Sequence, residues 1–139
     1  MKSLVVAVAV LVCLLVTDPA LAHHSYAAFD REKKVTLSGV VREVQWNNPH
    51  AWIQIVVTDE KGRQVEWGVE GGSPNMMART GWKSSTLKAG DKIVAVVNPL
   101  KDGRPNGSLV TVTLADGRVL GPGNAPTPRP LGSATRPKT

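Results

Sequence analysis

Val35-Thr36-Leu37-Ser38-Gly39-Val40-Val41-Arg42-Glu43-Val44-Gln45-Trp46 decides the fold. It reads as one long first strand, because β-branched and aromatic residues alternate with polar ones. Val35 and Leu37 share a face, while Val40, Val44 and Trp46 continue on the opposite parity. Side chains alternate with period two, so a change of parity requires one extra residue. Ser38-Gly39 is the natural place for that bulge, since glycine tolerates the backbone angles it needs. A long strand bent at a glycine is what a small closed barrel demands.

The elements that follow fit such a barrel. Asn47-Asn48-Pro49 is a turn, and Ala51 to Thr58 is a second strand with Ile53, Ile55 and Val57 on one face. Asp59 to Arg63 makes a hairpin loop, and Val65, Trp67 and Val69 alternate with polar residues in a third strand. Gly71-Gly72 breaks it. Ser73-Pro74 then opens a helix of barely two turns, with serine as cap, proline at the first helical position and Gly81 past the end. A helix this short needs a sheet to dock on. Lys92 to Asn98 is a fourth strand and Ser108 to Leu114 a fifth. Asp116-Gly117 is a hairpin turn, from which Arg118-Val119-Leu120 pairs back as a short extra strand. The expected fold is mainly β: a small five-stranded OB-like Greek-key barrel with one short helix between strands three and four. A plain antiparallel α+β sheet is the competing architecture.

The ends of the chain lie outside this domain. Lys2, an apolar run from Leu4 to Val16, the breaker Asp18-Pro19 and the small-x-small site Ala20-Leu21-Ala22 have the order of a secretory signal peptide. The apolar run is too short for a membrane span, which needs about 20 residues. Leu11-Val12 before Cys13 do not make a lipidation site, and cleavage after Ala22 leaves a chain without thiols. That excludes disulfides, zinc–thiolate sites and a cysteine nucleophile. The expected division is signal peptide 1–22, N-terminal arm 23–34, barrel 35–120 and a disordered Pro/Gly-rich basic tail 121–139. The location is then periplasmic or secreted, with no membrane span after cleavage. The net charge of +6 owes three positive charges to the tail, at Arg129, Arg136 and Lys138. Within the domain, acids and bases alternate without a basic block, so no nucleic-acid partner is expected.

Chemistry-bearing residues gather in two places. One is the loop Trp46-Asn47-Asn48-Pro49-His50-Ala51-Trp52; the other is His23-His24-Ser25-Tyr26 in the arm. Trp46 continues the buried parity, Trp67 fits the core, and Trp82 packs the helix end. Trp52 has the parity opposite to Ile53 and Ile55 and faces outward. Asn47, Asn48, His50 and Trp52 therefore form a candidate ligand-binding set for a protein or a small molecule. The competing reading makes His50 a hydrogen-bonded turn residue. A second candidate is copper. A mature N-terminal His23 can chelate through its amine and ring, with His24 or His50 adding an imidazole, and such nitrogen donors favour Cu(II). This resembles the histidine brace of copper proteins in ligand type. It requires the arm to fold back along the first strand, with Tyr26 and Phe29 pinning it to the barrel. Met76 and Met77 read as packing residues, and Glu66 and Glu70 as a solvated face. No nucleophile–base set and no phosphate-binding glycine loop is present, so the expected activity is binding and not catalysis.

The combination of His23-His24-Ser25-Tyr26-Ala27-Ala28-Phe29-Asp30, the Trp46–Trp52 loop, Gly81-Trp82 and Leu87-Lys88-Ala89-Gly90-Asp91 resembles an uncharacterised family of small exported bacterial proteins, a domain of unknown function, over about residues 22 to 120. The resemblance implies export and a compact β domain, and it carries over no catalytic residue.

Overall fold

The computed structural model describes residues 27–123. Among the described residues, six strands run in chain order: β1 (Val35–Gln45), β2 (Trp52–Thr58), β3 (Gln64–Glu70), β4 (Lys92–Pro99), β5 (Asn106–Thr113) and β6 (Val119–Leu120). One helix, α1 (Pro74–Ala78), lies between β3 and β4. The sheet order is β3-β2-β1-β4-β5-β6, and β3 also pairs with β5. That last pairing is parallel and closes the sheet on itself. The result is a closed five-stranded mixed barrel of OB-like Greek-key topology, with β6 as a short hairpin return. The antiparallel α+β alternative falls, because an open sheet lacks the β3–β5 contact. No described helix is long and apolar enough to cross a membrane.

β1 makes the barrel possible. Its first half pairs with β4, from Val35↔Val97 to Val40↔Lys92, and its second half with β2, from Gly39↔Val57 to Gln45↔Trp52. One strand serving two neighbours has to coil, and it does so at two positions. A side chain on Gly39 would collide with the Val56 carbonyl oxygen and lie 2.8 Å from Cγ2 of the fully buried Ile55. Glycine is there because β2 crosses β1 too closely for a Cβ. The parity change lies elsewhere. The β1–β2 register slips between Val41 and Glu43, so Arg42 is the extra residue. Leu37 and Val41 point inward, Val44 follows after the slip, and Val40 is 38% exposed. The expected bulge at Ser38-Gly39 and the inward Val40 are thus corrected. Val40-Val41 offers two adjacent apolar residues, and the parity count picked the wrong one.

Isoleucine, valine and leucine from all five main strands fill the interior. α1 closes one end. Ser73 caps it, its Oγ accepting the Met76 N–H at 3.4 Å, and Pro74 stands in its first turn. Met77 is fully buried while its neighbour Met76 is 42% exposed, so only Met77 fills the core. Buried Trp82 follows, donating its indole N–H to the Gly121 carbonyl at 2.7 Å. The described chain continues past β6 over α1: Gly72 N–H donates to the Pro122 carbonyl at 3.1 Å, and Gly123 lies against the Met76–Met77 backbone.

Three loops share one clasp. In Asp59…Arg63, Asp102-Gly103-Arg104 and Asp116-Gly117-Arg118, one carboxylate oxygen accepts the arginine backbone N–H and the other accepts its Nε–H at 2.8 Å. A left-handed glycine at 62, 103 or 117 turns the chain so that both groups reach the same carboxylate. Hydrogen bonds from the Arg63 backbone and then its side chain hold the Asp59 carboxyl below the ordinary range. Asp116 is lowered likewise by Arg118, and Asp102 chiefly by the Arg104 side chain.

Candidate functional site

The loop from Trp46 to Ala51 sends its aromatic ends in different directions. Trp46 turns in, packs against the core and meets Trp82 with ring centroids 6.5 Å apart at 31°. Asn47, Asn48 and Pro49 are exposed, and the Asn48–Pro49 peptide is cis. His50 is half-buried, and the ladder resumes at Ala51, whose N–H donates to the Gly72 carbonyl at 2.9 Å. Trp52 begins β2 on the outer face, because Ile53 and Ile55 take the inner one.

The His50 ring lies over the end of β3. Its Nδ1 is 3.3 Å from the Gly71 carbonyl oxygen and 3.5 Å from Glu70 Oε1. A carbonyl oxygen can only accept, so Nδ1 carries the hydrogen. In the neutral ring, Nε2 then holds the lone pair. Glu70 is the buried acid of this site, 7% exposed. It stands directly across the ladder from Trp52 and beside Ser108 of β5. Reading Glu66 and Glu70 as one solvated face is therefore wrong for Glu70. Glu66 is exposed and paired with Arg42.

Strand registers extend the site into two rows on the outer surface. Asn98, Ser108, Glu70, Trp52 and Gln45 run across β4, β5, β3, β2 and β1. Asn106, Gly68, Gln54 and Glu43 form the next row across β5, β3, β2 and β1. The arm reaches the same surface from the far side. Phe29 is buried and bridges Leu100, and Ala28 accepts from Lys101 N–H at 2.9 Å. Asn98 Nδ2 donates to the Lys33 carbonyl at 2.7 Å and the Arg31 carbonyl at 3.3 Å. The arm is thus pinned by Phe29 as expected, two strands from Glu70. Tyr26, His23 and His24 lie outside the described residues, as do the proposed signal peptide and residues 124–139 of the proposed tail.

Of the residues picked out by sequence, the structure brings His50 and Trp52 together around Glu70. Asn47 and Asn48 stand on the exposed loop beside them. Glu70 was missed, although its parity with Trp52 and the two side-chain-free glycines after it were legible. Asn106 and Ser108 join the site only through the parallel β3–β5 pairing, which no local pattern announces. Among the described residues, no group of three or more His, Cys, Asp or Glu side chains is placed to hold a metal.

Fold and site together define a small OB-like barrel that carries an aromatic and polar surface on the outer faces of its strands. A family model described as "Family of unknown function (DUF6152)" matches residues 10–109, and the chain belongs to that family. No curated protein and no solved structure gives a match.

Proposed function

We propose that this protein is an exported, non-enzymatic binding module that recognises a protein or small ligand through the N-terminal arm and the Trp46–Trp52 loop. One observation carries the reading: outward-facing Trp52 sits across the ladder from buried Glu70, whose carboxylate approaches the His50 ring. An aromatic surface beside oriented polar groups is the usual make-up of a recognition site. OB-type barrels bind on the outer face of strands two and three and on the loops beside it, which is where these residues stand. Export rests on the order of charge, apolar run and cleavage site in residues 1–22. The test is a pull-down from periplasmic extract with wild type and Trp52→Ala. Loss of the retained partners is expected, and a variant that keeps all of them would refute the reading.

Copper binding is the second reading, and the His50 geometry favours it. A metal-bound imidazole commonly donates its other N–H to a carbonyl or carboxylate, as Nδ1 does here. His50 would then offer Nε2, and His23 and His24 the remaining nitrogens. Calorimetric titration with Cu(II) tests it on the form beginning at His23. Binding no tighter than that of a chain extended by one N-terminal residue would end it.

A further inference from the structure

We infer that the outer surface around Trp52 and Gly68 is a platform for a neutral oligosaccharide. The inference rests on the binding reading above and names the ligand class of that same surface. Its centre is Gly68. A side chain there would collide with the Asn106 amide and come within 3.5 Å of Gln54 Oε1. Two amide heads therefore converge over Gly68 and cover its backbone, so that the amides themselves form the surface there. Trp52 stands on the same face of β2 as Gln54, about 7 Å along the strand. Gln45 flanks Trp52 across the β1–β2 ladder, and Glu43 flanks Gln54. With strands about 4.8 Å apart, Trp52, Gln54, Gly68 and Asn106 outline a footprint of roughly 7 by 10 Å, the size of one or two pyranose rings.

The chemistry fits a sugar better than the other ligands of such barrels. Each sugar hydroxyl both donates and accepts, and each amide head offers two donors and an acceptor, so Gln54 and Asn106 can engage neighbouring hydroxyls together. A pyranose presents a face of C–H groups, positive relative to the electron-rich face of an indole, and Trp52 provides that indole. Polyanions are disfavoured. The two rows hold the acids Glu43 and Glu70 and no lysine or arginine, whereas a phosphate backbone requires cations. The nearest arginine on β1, Arg42, is held by Glu66. An apolar ligand would leave the amide heads without hydrogen bonds, at a cost.

The experiment is a 15N–1H correlation titration of the purified protein with three neutral trisaccharides: the β-linked trimers of glucose and of N-acetylglucosamine, and the α-linked trimer of glucose. Oligothymidylate and a heparin fragment are the polyanion arms. At least one trisaccharide should shift the Trp52 indole signal and the Gln54 and Asn106 side-chain amides. Trp52→Ala should weaken that binding about tenfold or more, and Gln54→Ala, a milder surface change, should also weaken it. Unchanged signal dispersion in either variant shows that the fold is kept. Three results overturn the inference: no trisaccharide moves these signals, a polyanion moves them more strongly, or neither variant weakens the binding. A periplasmic extract then separates the two claims. If extract moves the same signals where sugars do not, the surface binds but not sugars; if nothing moves them, the binding reading falls as well.

Discussion

Gly39→Ala tests whether the crossing of β1 and β2 is as close as the fold requires. The added methyl would meet three atoms: the Val56 carbonyl oxygen, Ile55 Cγ2 at 2.8 Å and the Val56 carbonyl carbon at 3.1 Å. None can step aside easily. Two belong to the backbone of β2, which lies between β1 and β3, and the third is on a fully buried, β-branched side chain with few alternative rotamers. The strands have to separate instead. Overpacking of this kind costs about 1–3 kcal/mol, and the backbone contacts place Gly39 toward the upper end. Against that, alanine restricts the unfolded chain and returns about 0.4–1 kcal/mol. The net is a loss of about 2 kcal/mol. For a domain of this size each kcal/mol is worth about 4–8 °C, so Tm should fall by roughly 8–16 °C. Thermal melts followed by circular dichroism read this directly, with urea midpoints as a check. The neighbouring Ser38→Ala, at an exposed position, should stay within about 0.5 kcal/mol of wild type. A Gly39→Ala protein that melts at or above the wild-type temperature would refute the close crossing, and with it the account of how β1 coils.

Two further outcomes follow from the packing and the clasps. Met77→Ala empties a fully buried position under α1 and should cost about 2–5 kcal/mol, whereas Met76→Ala at an exposed position should change stability by less than about 0.5 kcal/mol; equal effects in urea denaturation would contradict the docking of α1 through one methionine. Asp59, Asp102 and Asp116 all have carboxyls held below the ordinary value of 3.8 in the folded chain. Such groups favour the folded state above the unfolded value and lose that contribution as pH falls through the lower folded one. Melts between about pH 5 and pH 2 should therefore show a shallower acid decline in the triple Asp→Asn variant than in wild type, and parallel declines would show that the clasps contribute nothing.

What was legible in the sequence was whatever depends on local alternation. The period-two patterns of β2 and β3, the Ser73-Pro74 start of α1 and the left-handed glycines of the turns each report on their own few residues. That was enough for the succession of strands along the chain and the position of the helix, on which the OB-like expectation rested. The bulge was misplaced because Val40 and Val41 are both apolar, so only the partner strand distinguishes them. The site divides the same way. Trp52's outward direction is a matter of parity within one strand. The companionship of Glu70 and His50 depends on how the 46–51 loop falls over the end of β3, and that of Asn106 and Ser108 on a parallel pairing between residues far apart in sequence.

The geometry around Gly71-Gly72 explains why the candidate site lies at the end of the barrel closed by α1. Gly71 offers its carbonyl to His50 and its N–H to Ala51, while Gly72 accepts from Ala51 and donates to Pro122. Cβ atoms built at these two positions would press on Met77 and collide with the Pro122 carbonyl, respectively. Two residues without side chains therefore let the loop, β3, α1 and the segment after β6 meet around a few peptide groups. Gly71 thus lies against Met77 of α1 on one side and offers its carbonyl to the imidazole on the other. A recognition site built on loop residues alone would be set by their flexibility. Here Trp52 pairs in a ladder, Glu70 is buried and His50 lies against a backbone carbonyl at the strand end, so the proposed recognition surface would be largely pre-organised for a ligand.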